Sequence, residues 1–425
     1  MRPVNNDIVD TPFKYKNPEG LSDVLPESQR YWQYSENLLN RLSGDFGYHH
    51  LITPPLEAKS LYTTGFGKES ADYLIDSNID DRGEKYVFRA HPKVSVIRSF
   101  IDNGFTAWPP PVHLSSRTST IKRHDTNLRQ NFYYSFDILG AKDAITDTTL
   151  LILLQRLARD LKLKNYVIVI HSLGCSNCRP NFEQIFSDYC KTILKNLCSA
   201  CQSKPNYSTI TNCVADRTSD VIIEAPSLLD NLCPECKKQI TGVLETCDSL
   251  GVQYELDSSL TTSHIEAEQT IFSLKIGDQF IDAITGYHYD SLASRIAETP
   301  ISAIGITIDL QILSSNLEIQ HISVPPEGGL QVFIAQLGSL AKEKCVPLLQ
   351  QLYKAGYTAA TASESESITS QLKVAERLRS RITLIIGQKE AVNGHIIVRD
   401  MISGVQDDIY LDELMPALAE RLEAK

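Results

Sequence analysis

The chain contains no apolar run approaching the roughly 20 residues that a membrane-spanning helix needs. That excludes a bundle of such helices and predicts no membrane partner. The first twenty residues, MRPVNNDIVDTPFKYKNPEG, lack the apolar stretch of a secretory signal, so a cytoplasmic protein with a loose leader over 1–16 is expected. Positive charge is also short. With 41 Lys and Arg against 52 Asp and Glu, the net charge is −11, which argues against indiscriminate coating of nucleic acid, since phosphate binding needs a cationic face. A local patch survives in RTSTIKRHDTNLRQ, where Arg117, Lys122, Arg123 and Arg129 fall within one hairpin-like segment. A solvated hairpin would read the same way. Hydrophobic residues at 42% and charged residues at 22% are ordinary for a globular protein, and 425 residues suffice for two or three domains.

Cysteine is present but unevenly spread. Of 10 cysteines, eight lie between Cys175 and Cys236, six of them in the C-x-x-C pairs Cys175/Cys178, Cys198/Cys201 and Cys233/Cys236, with Cys213 between the last two. In a reducing compartment such pairs point to metal before disulfide. Two intervening residues let both sulfurs reach one Zn²⁺ at about 2.3 Å. Two pairs close one structural site, so four of the six are expected to hold zinc, and the spacing leaves open which four. The plain alternative is a group of reduced, half-buried thiols.

Along the chain, Trp32, Leu38, Leu39, Leu42 and Phe46 recur at helical spacing over Ser28–Phe46. HLITPPLEAKSLY reads as a strand stopped by Pro54 and Pro55, and KYVFRAHPKVSVIRSFIDNGF as strand, turn and helix. NYVIVIHSLG is a β-branched, apolar strand, and PISAIGITIDLQIL a strand running into a helix. Short connections between strands predict an α+β core with a mostly antiparallel sheet over 17–315, carrying a Cys-rich insert at 175–250. Pro325-Pro326 and Gly328-Gly329 mark a linker over 316–329. The remainder, 330–425, alternates as βαβαβ, which predicts a small α/β domain with a largely parallel sheet.

One stretch invites a chemical reading. LTTSHIEAEQTIFS places His264, Glu266 and Glu268 two residues apart, on one face if the segment is a strand. Such a trio could bind a cation or move a proton. A wet acidic strand face is the plainer expectation. Tyr133, Tyr134, Tyr287 and Tyr289 are candidates to line a cleft, although tyrosines at alternating spacing are commonly core.

Taken together, these segments resemble class II histidyl-tRNA synthetases over nearly the whole chain. GLSDVLPESQRYWQYSENLLNRLSGDFGYHHLITPPLE is similar to that family's opening G-x-x-D-x-L-P, helix and motif 1 T-P-x-x-E. FRAHPKVSVIRSFI resembles LRPEGTxxVVRxxI, and YVIVIHSLGCSNCRPNFEQIFSDYC the NSLG strand with Cys-containing versions of the inserted domain. SQLKVAERLRSRITLIIGQKEAVNGHIIVRD is similar to the anticodon-binding domain. The resemblance implies a class II antiparallel-sheet core with a Cys-rich insert, a C-terminal α/β anticodon-binding-like domain, and a homodimer formed through motif 1.

It also implies adenylate chemistry, in which arginine forks steady the phosphates. Here the three family arginine positions hold Lys122, Thr262 and Leu310, and the tyrosines that enclose substrate histidine become Glu266 and Ala267. RPEGT becomes Arg89, Ala90, His91, Pro92 and Lys93, and GGRYDGL survives as GYHYDSL. Losing one preorganised donor removes ~3–4 kcal/mol of transition-state stabilisation. The expectation is a histidyl-tRNA synthetase-like pseudoenzyme with no catalytic residues and no use for ATP or Mg²⁺. Residues that would line what remains of the ligand pocket are Arg89, His91, Lys93, Lys122, Arg129, Gln130, Tyr133, His264, Glu266, Glu268 and Tyr289. Arg117, Lys122, Arg123 and Arg129 are the candidates for contacting tRNA or a tRNA-like RNA. The alternatives are a regulatory subunit acting through protein contacts, as in ATP phosphoribosyltransferase regulation, and a divergent active histidine–tRNA ligase. The regulatory family typically lacks the anticodon-binding domain.

Overall fold

The computed structural model describes residues 15–423 except 82, 125–126, 212, 214, 217–223, 258–259, 261–265, 278–280, 325–328 and 363–366. It divides into two compact units, 1–324 and 325–425. The expected linker at 316–329 begins too early. Helix Leu310–Ile319 runs through its first residues, because Leu313 and Leu317 are drawn into the core of the first unit.

The first unit is built on an eight-stranded sheet. Its centre is antiparallel, with the 13-residue strands Val112–His124 and Asn127–Leu139 paired along their whole length, followed by Ala303–Asp309, Ile281–His288, Glu268–Ile276 and Tyr166–Ser172. Short strands His49–Leu51 and Glu255–Leu256 add in parallel at the two edges. Because side chains alternate across a sheet, the two faces make separate cores. On one face Tyr134, Phe136, Ile170, Phe272, Ile304, Ile306 and Ile308 pack under helices Pro26–Asp45, Ala144–Asp160, Pro234–Leu250 and Leu310–Ile319. On the other, Leu114, Leu139, Val169, Ile271 and Tyr287 meet helix Pro92–Asp102 through Val94, Val96, Ile97 and Phe100.

Local chemistry sets the ends of these elements. The first helix starts at Pro26, two residues before the apolar periodicity suggests, since the fixed φ of proline suits the first turn. After Pro54 and Pro55 the chain resumes extended pairing as Leu56–Ala58, in a separate three-stranded sheet with Asp76–Asp81 and Glu84–Phe88.

The insert is shorter than 175–250. Helix Arg179–Ile193 and the segments after it enclose a small core of Phe182, Phe186, Cys190, Ile193, Leu197, Cys201, Ile210 and Leu228. Helix Pro234–Leu250 instead sends Ile240, Val243 and Cys247 into the main core.

The second unit has five strands in the order Ala359–Thr361, Val332–Gln336, Ile382–Ile386, His395–Asp400 and Gln406–Tyr410. Only the first three are mutually parallel; the last two add antiparallel. The largely parallel sheet expected there is therefore half antiparallel. A parallel crossover needs a dozen or more residues, and the short helix Gln388–Asn393 between the third and fourth strands cannot supply it.

Candidate functional site

Most of the pocket residues expected from the sequence gather on the face of the large sheet that carries helix Pro92–Asp102, the cleft face. The long hairpin decides which of its side chains point there. Lys122 is registered opposite Arg129, Thr120 opposite Asn131 and Thr118 opposite Tyr133, so these share the cleft face. Arg117, Arg123 and Gln130 stand on the reverse face by the same alternation. The basic segment is thus split between two faces and does not form one patch, and Gln130 is not a cleft residue. Arg117 is further engaged by Glu36 of the first helix.

At the cleft floor, Lys93 is fully buried and donates to Asp137 Oδ1 at 2.6 Å and to the Ile306 carbonyl at 3.1 Å. Tyr289 Oη donates to the same carboxylate oxygen at 2.9 Å, and Ser135 Oγ to the other at 2.9 Å. Gly305 makes room for this group; a Cβ there would collide with Asp137 Oδ1 and come within 2.8 Å of Lys93 Nζ. A buried ion pair holds its place when further hydrogen bonds support it, and here the Ile306 carbonyl, Tyr289 and Ser135 supply them. Lys93 and Tyr289, read from the sequence as pocket residues, are tied into this internal network.

Above it, His91 caps helix Pro92–Asp102, its Nδ1 accepting the Lys93 N–H at 3.3 Å. That leaves Nε2 as the protonated nitrogen, and it lies 2.8 Å from Glu266 Oε1. Tyr287 Oη donates to the same oxygen at 2.7 Å. Glu266 sits in a turn before the strand and is buried. Glu268 opens the strand, also buried, and accepts from Ser291 N at 2.6 Å and Ser291 Oγ at 2.8 Å at the start of helix Asp290–Ala297. The wet acidic strand face expected from the sequence is therefore absent at these two acids. His264 and Thr262 lie outside the described residues.

The remaining positions are equally specific. Leu310 is wholly buried in the main core. The preceding Asp309 caps its helix, accepting from Gln311 N and Ile312 N, and takes a hydrogen bond from Asn131 at 3.0 Å. Lys122 is partly buried; burial, and then the nearby Arg129, lower its pKa, while Glu266 opposes them. Burial pushes the Tyr133 hydroxyl up, with Asp309 adding to it. Arg89 is a bracket rather than a ligand: it donates to the carbonyls of Thr53, Pro54 and Ser119 and to Thr53 Oγ1.

Sequence reasoning missed Asp137, the acid that holds Lys93, and the pairing of His288 with Asp147 at 3.0 Å. The second has a visible signal in GYHYD, where the resembled motif GGRYD carries an arginine at the position of His288. In the same comparison a glycine becomes Tyr287, which is fully buried on the cleft face.

All ten cysteines are free thiols. Cys175, Cys178, Cys233 and Cys236 converge, with Sγ–Sγ distances of 3.8 Å for Cys175–Cys178, 3.7 Å for Cys175–Cys233 and 3.9 Å for Cys178–Cys236. A disulfide needs about 2.05 Å, whereas four sulfurs placed tetrahedrally at about 2.3 Å from Zn²⁺ stand about 3.8 Å apart. This group can hold a metal ion. The first and third C-x-x-C pairs thus belong together, a choice the spacing had left open. Burial would raise the Cys175 thiol, but the N–H groups of Asn177 and Cys178 and the side chains of Cys236 and Cys233 together bring it down to about 7. The second pair, Cys198 and Cys201, gathers with Cys213 and Asp216.

Comparison with known proteins agrees with this architecture. The anticodon binding domain family matches residues 331–421. The histidine–tRNA ligase of Desulforamulus reducens is 30% identical over 409 residues, covering 94% of this chain and 97% of that protein. That of Clostridium perfringens is 28% identical over 404 residues, covering 93% and 96%. Among solved structures, apo histidyl-tRNA synthetase of S. aureus superposes with a TM-score of 0.75 at 26% identity, over 95% of this chain and 99% of that one.

Proposed function

The chain belongs to the histidyl-tRNA synthetase family, and from that premise we propose that this member has lost histidine activation and acts by binding tRNA or a tRNA-like RNA. The observation that carries the reading is the contact between His91 and Glu266, 2.8 Å apart, with Tyr287 donating to the same acid. In the resembled motifs these three positions hold a glutamate, a tyrosine and a glycine. The chain has placed an imidazole of its own against a carboxylate of its own and filled the glycine's space with a ring. Substrate histidine would have to displace a satisfied buried contact, and unpaired buried groups cost ~1–3 kcal/mol each.

Phosphate handling points the same way. Leu310 is neutral and buried, and Lys122 offers a point charge where a guanidinium fork would grip two oxygens. ATP and Mg²⁺ have no evident role.

The tail domain supports the RNA reading, because a protein using only the catalytic fold has no need of it; it also weighs against the role of regulatory subunit acting through protein contacts. Zinc in the Cys175, Cys178, Cys233 and Cys236 group fixes the root of the insert to helix Pro234–Leu250. The preserved motif 1 segment, with Ile52 exposed beside the edge strand His49–Leu51, supports a homodimer, and the reading places it in the cytoplasm. Among the described residues no helix is long and apolar enough to cross a membrane.

The test pairs histidine-dependent ATP–pyrophosphate exchange with filter binding of tRNA at two salt concentrations. No exchange above the blank and saturable, salt-sensitive binding are expected. Exchange that depends on histidine would overturn the loss of catalysis, and absence of saturable binding at low salt would overturn the RNA role.

A further inference from the structure

We infer that the insert carries a second metal site, in which Cys198, Cys201, Cys213 and Asp216 hold one zinc ion separately from the four-cysteine group. The donors come from two short segments, Cys198–Cys201 and Cys213–Asp216, and only the first is a C-x-x-C pair in the sequence. Cys198 precedes the helical turn Ser199–Ser203, Cys201 lies within it, and Cys213 and Asp216 follow some way along the chain. In space their ligand atoms all lie within 4.8 Å of one another, and Cys198 Sγ is 3.6 Å from Cys213 Sγ. That separation is too long for a disulfide and close to the ~3.8 Å edge of a tetrahedral zinc–thiolate site.

Asp216 is what distinguishes the group from a loose collection of thiols. Only 5% of its surface is exposed, and both of its oxygens accept the Cys198 N–H at 3.1 Å. The backbone of one ligand therefore orients the side chain of another, which is how a ligating carboxylate is held in place. A cation at the centre would neutralise part of the charge that three thiolates and a carboxylate bring together. Three sulfurs with one oxygen in tetrahedral reach select Zn²⁺ over Mg²⁺ or Ca²⁺, which prefer all-oxygen shells of higher coordination number.

The insert also has a physical need for such a tie. Among the described residues its apolar core is the small cluster around Phe182 and Phe186, and Cys201 is itself part of it. Clusters of that size hold a fold poorly without a covalent or metal cross-link. The four-cysteine site lies where the insert leaves the sheet and returns to helix Pro234–Leu250. The second site closes the segment between. One ligand being a hard carboxylate, this site gives up its ion to chelator before the all-thiolate site does.

The experiment uses the full chain purified without chelator. Zinc is measured per chain in wild type, Cys213→Ser, Asp216→Ala and Cys175→Ser, and the reduced apoprotein is titrated with Co²⁺ while thiolate-to-metal charge transfer is followed. Two zinc equivalents in wild type are expected, falling to one in each variant. The cobalt signal should saturate at two equivalents in wild type, and this reading stands even if a variant fails to fold. A single equivalent in wild type, lost with Cys175→Ser and kept with Cys213→Ser and Asp216→Ala, overturns the second site. No bound metal in wild type, or cobalt saturation at one equivalent, overturns it as well.

Discussion

His91 Nε2 and Glu266 Oε1 are 2.8 Å apart, one from the cap of a helix and the other from the turn before a central strand. The two sides of the cleft are thus joined by a contact that an open amino-acid pocket would leave for its substrate. Glu266→Ala alone or His91→Ala alone should each destabilise the first unit by ~1–3 kcal/mol, since each strands a buried polar partner. In the double variant the losses should fall short of their sum by ~0.5–3 kcal/mol. Urea unfolding of the four proteins measures this coupling; full additivity would mean that the contact contributes nothing.

Restoring the family residue at one position should not restore the reaction. Leu310→Arg forces a guanidinium into a closed apolar core, and a buried charge without a partner costs several kcal/mol. The expected outcome is a lower melting temperature with histidine-dependent exchange still at the blank. A variant that melts like wild type and exchanges pyrophosphate would show that the position opens onto the cleft.

His288 makes stability depend on pH. Burial alone would lower its pKa, but Asp147 and then Asp290 reverse this and raise it to about 10. The Asp147 contact is 3.0 Å and the Asp290 contact 3.6 Å. A raised pKa means the folded state holds the proton more tightly than the unfolded chain, whose value is near 6.5. The stabilisation is fully present below pH ~6.5, declines through the interval up to about 10, and is gone above it. His288→Gln should therefore cost most near pH 6 and progressively less towards pH 10, in paired thermal unfolding of variant and wild type. A difference independent of pH would refute the imidazolium.

The split hairpin separates two RNA outcomes. If an RNA end enters the cleft, Lys122→Ala with Arg129→Ala should weaken tRNA binding and lower the salt slope by about one for each phosphate contact removed. Arg117→Ala with Arg123→Ala, on the reverse face, should change little. Equal effects from both pairs would place the RNA across the tip of the hairpin and outside the cleft.

Much of the fold was legible in the sequence. Helical periodicity around Trp32 and Leu39 and the β-branched run NYVIVI each reflect local preferences that tertiary packing reinforced. Residues 234–250 fall in the insert by sequence but pack as a helix into the main core, because an apolar stripe says that a helix packs somewhere without saying against what. The antiparallel end of the tail sheet depended on a connection too short to cross over, and a βαβαβ pattern does not disclose that.

The sequence by itself determined the family, the residues standing where arginines are expected, and the presence of thiol pairs able to reach one metal, because these are properties of residue type and order. Only the tertiary structure decided which thiols meet, that Lys122 and Arg117 face opposite ways, and that Glu266 is buried against His91. Two residues in a C-x-x-C pair fix the reach of their own sulfurs and nothing about a distant pair. A carboxylate reads the same in sequence whether water or an imidazole satisfies it.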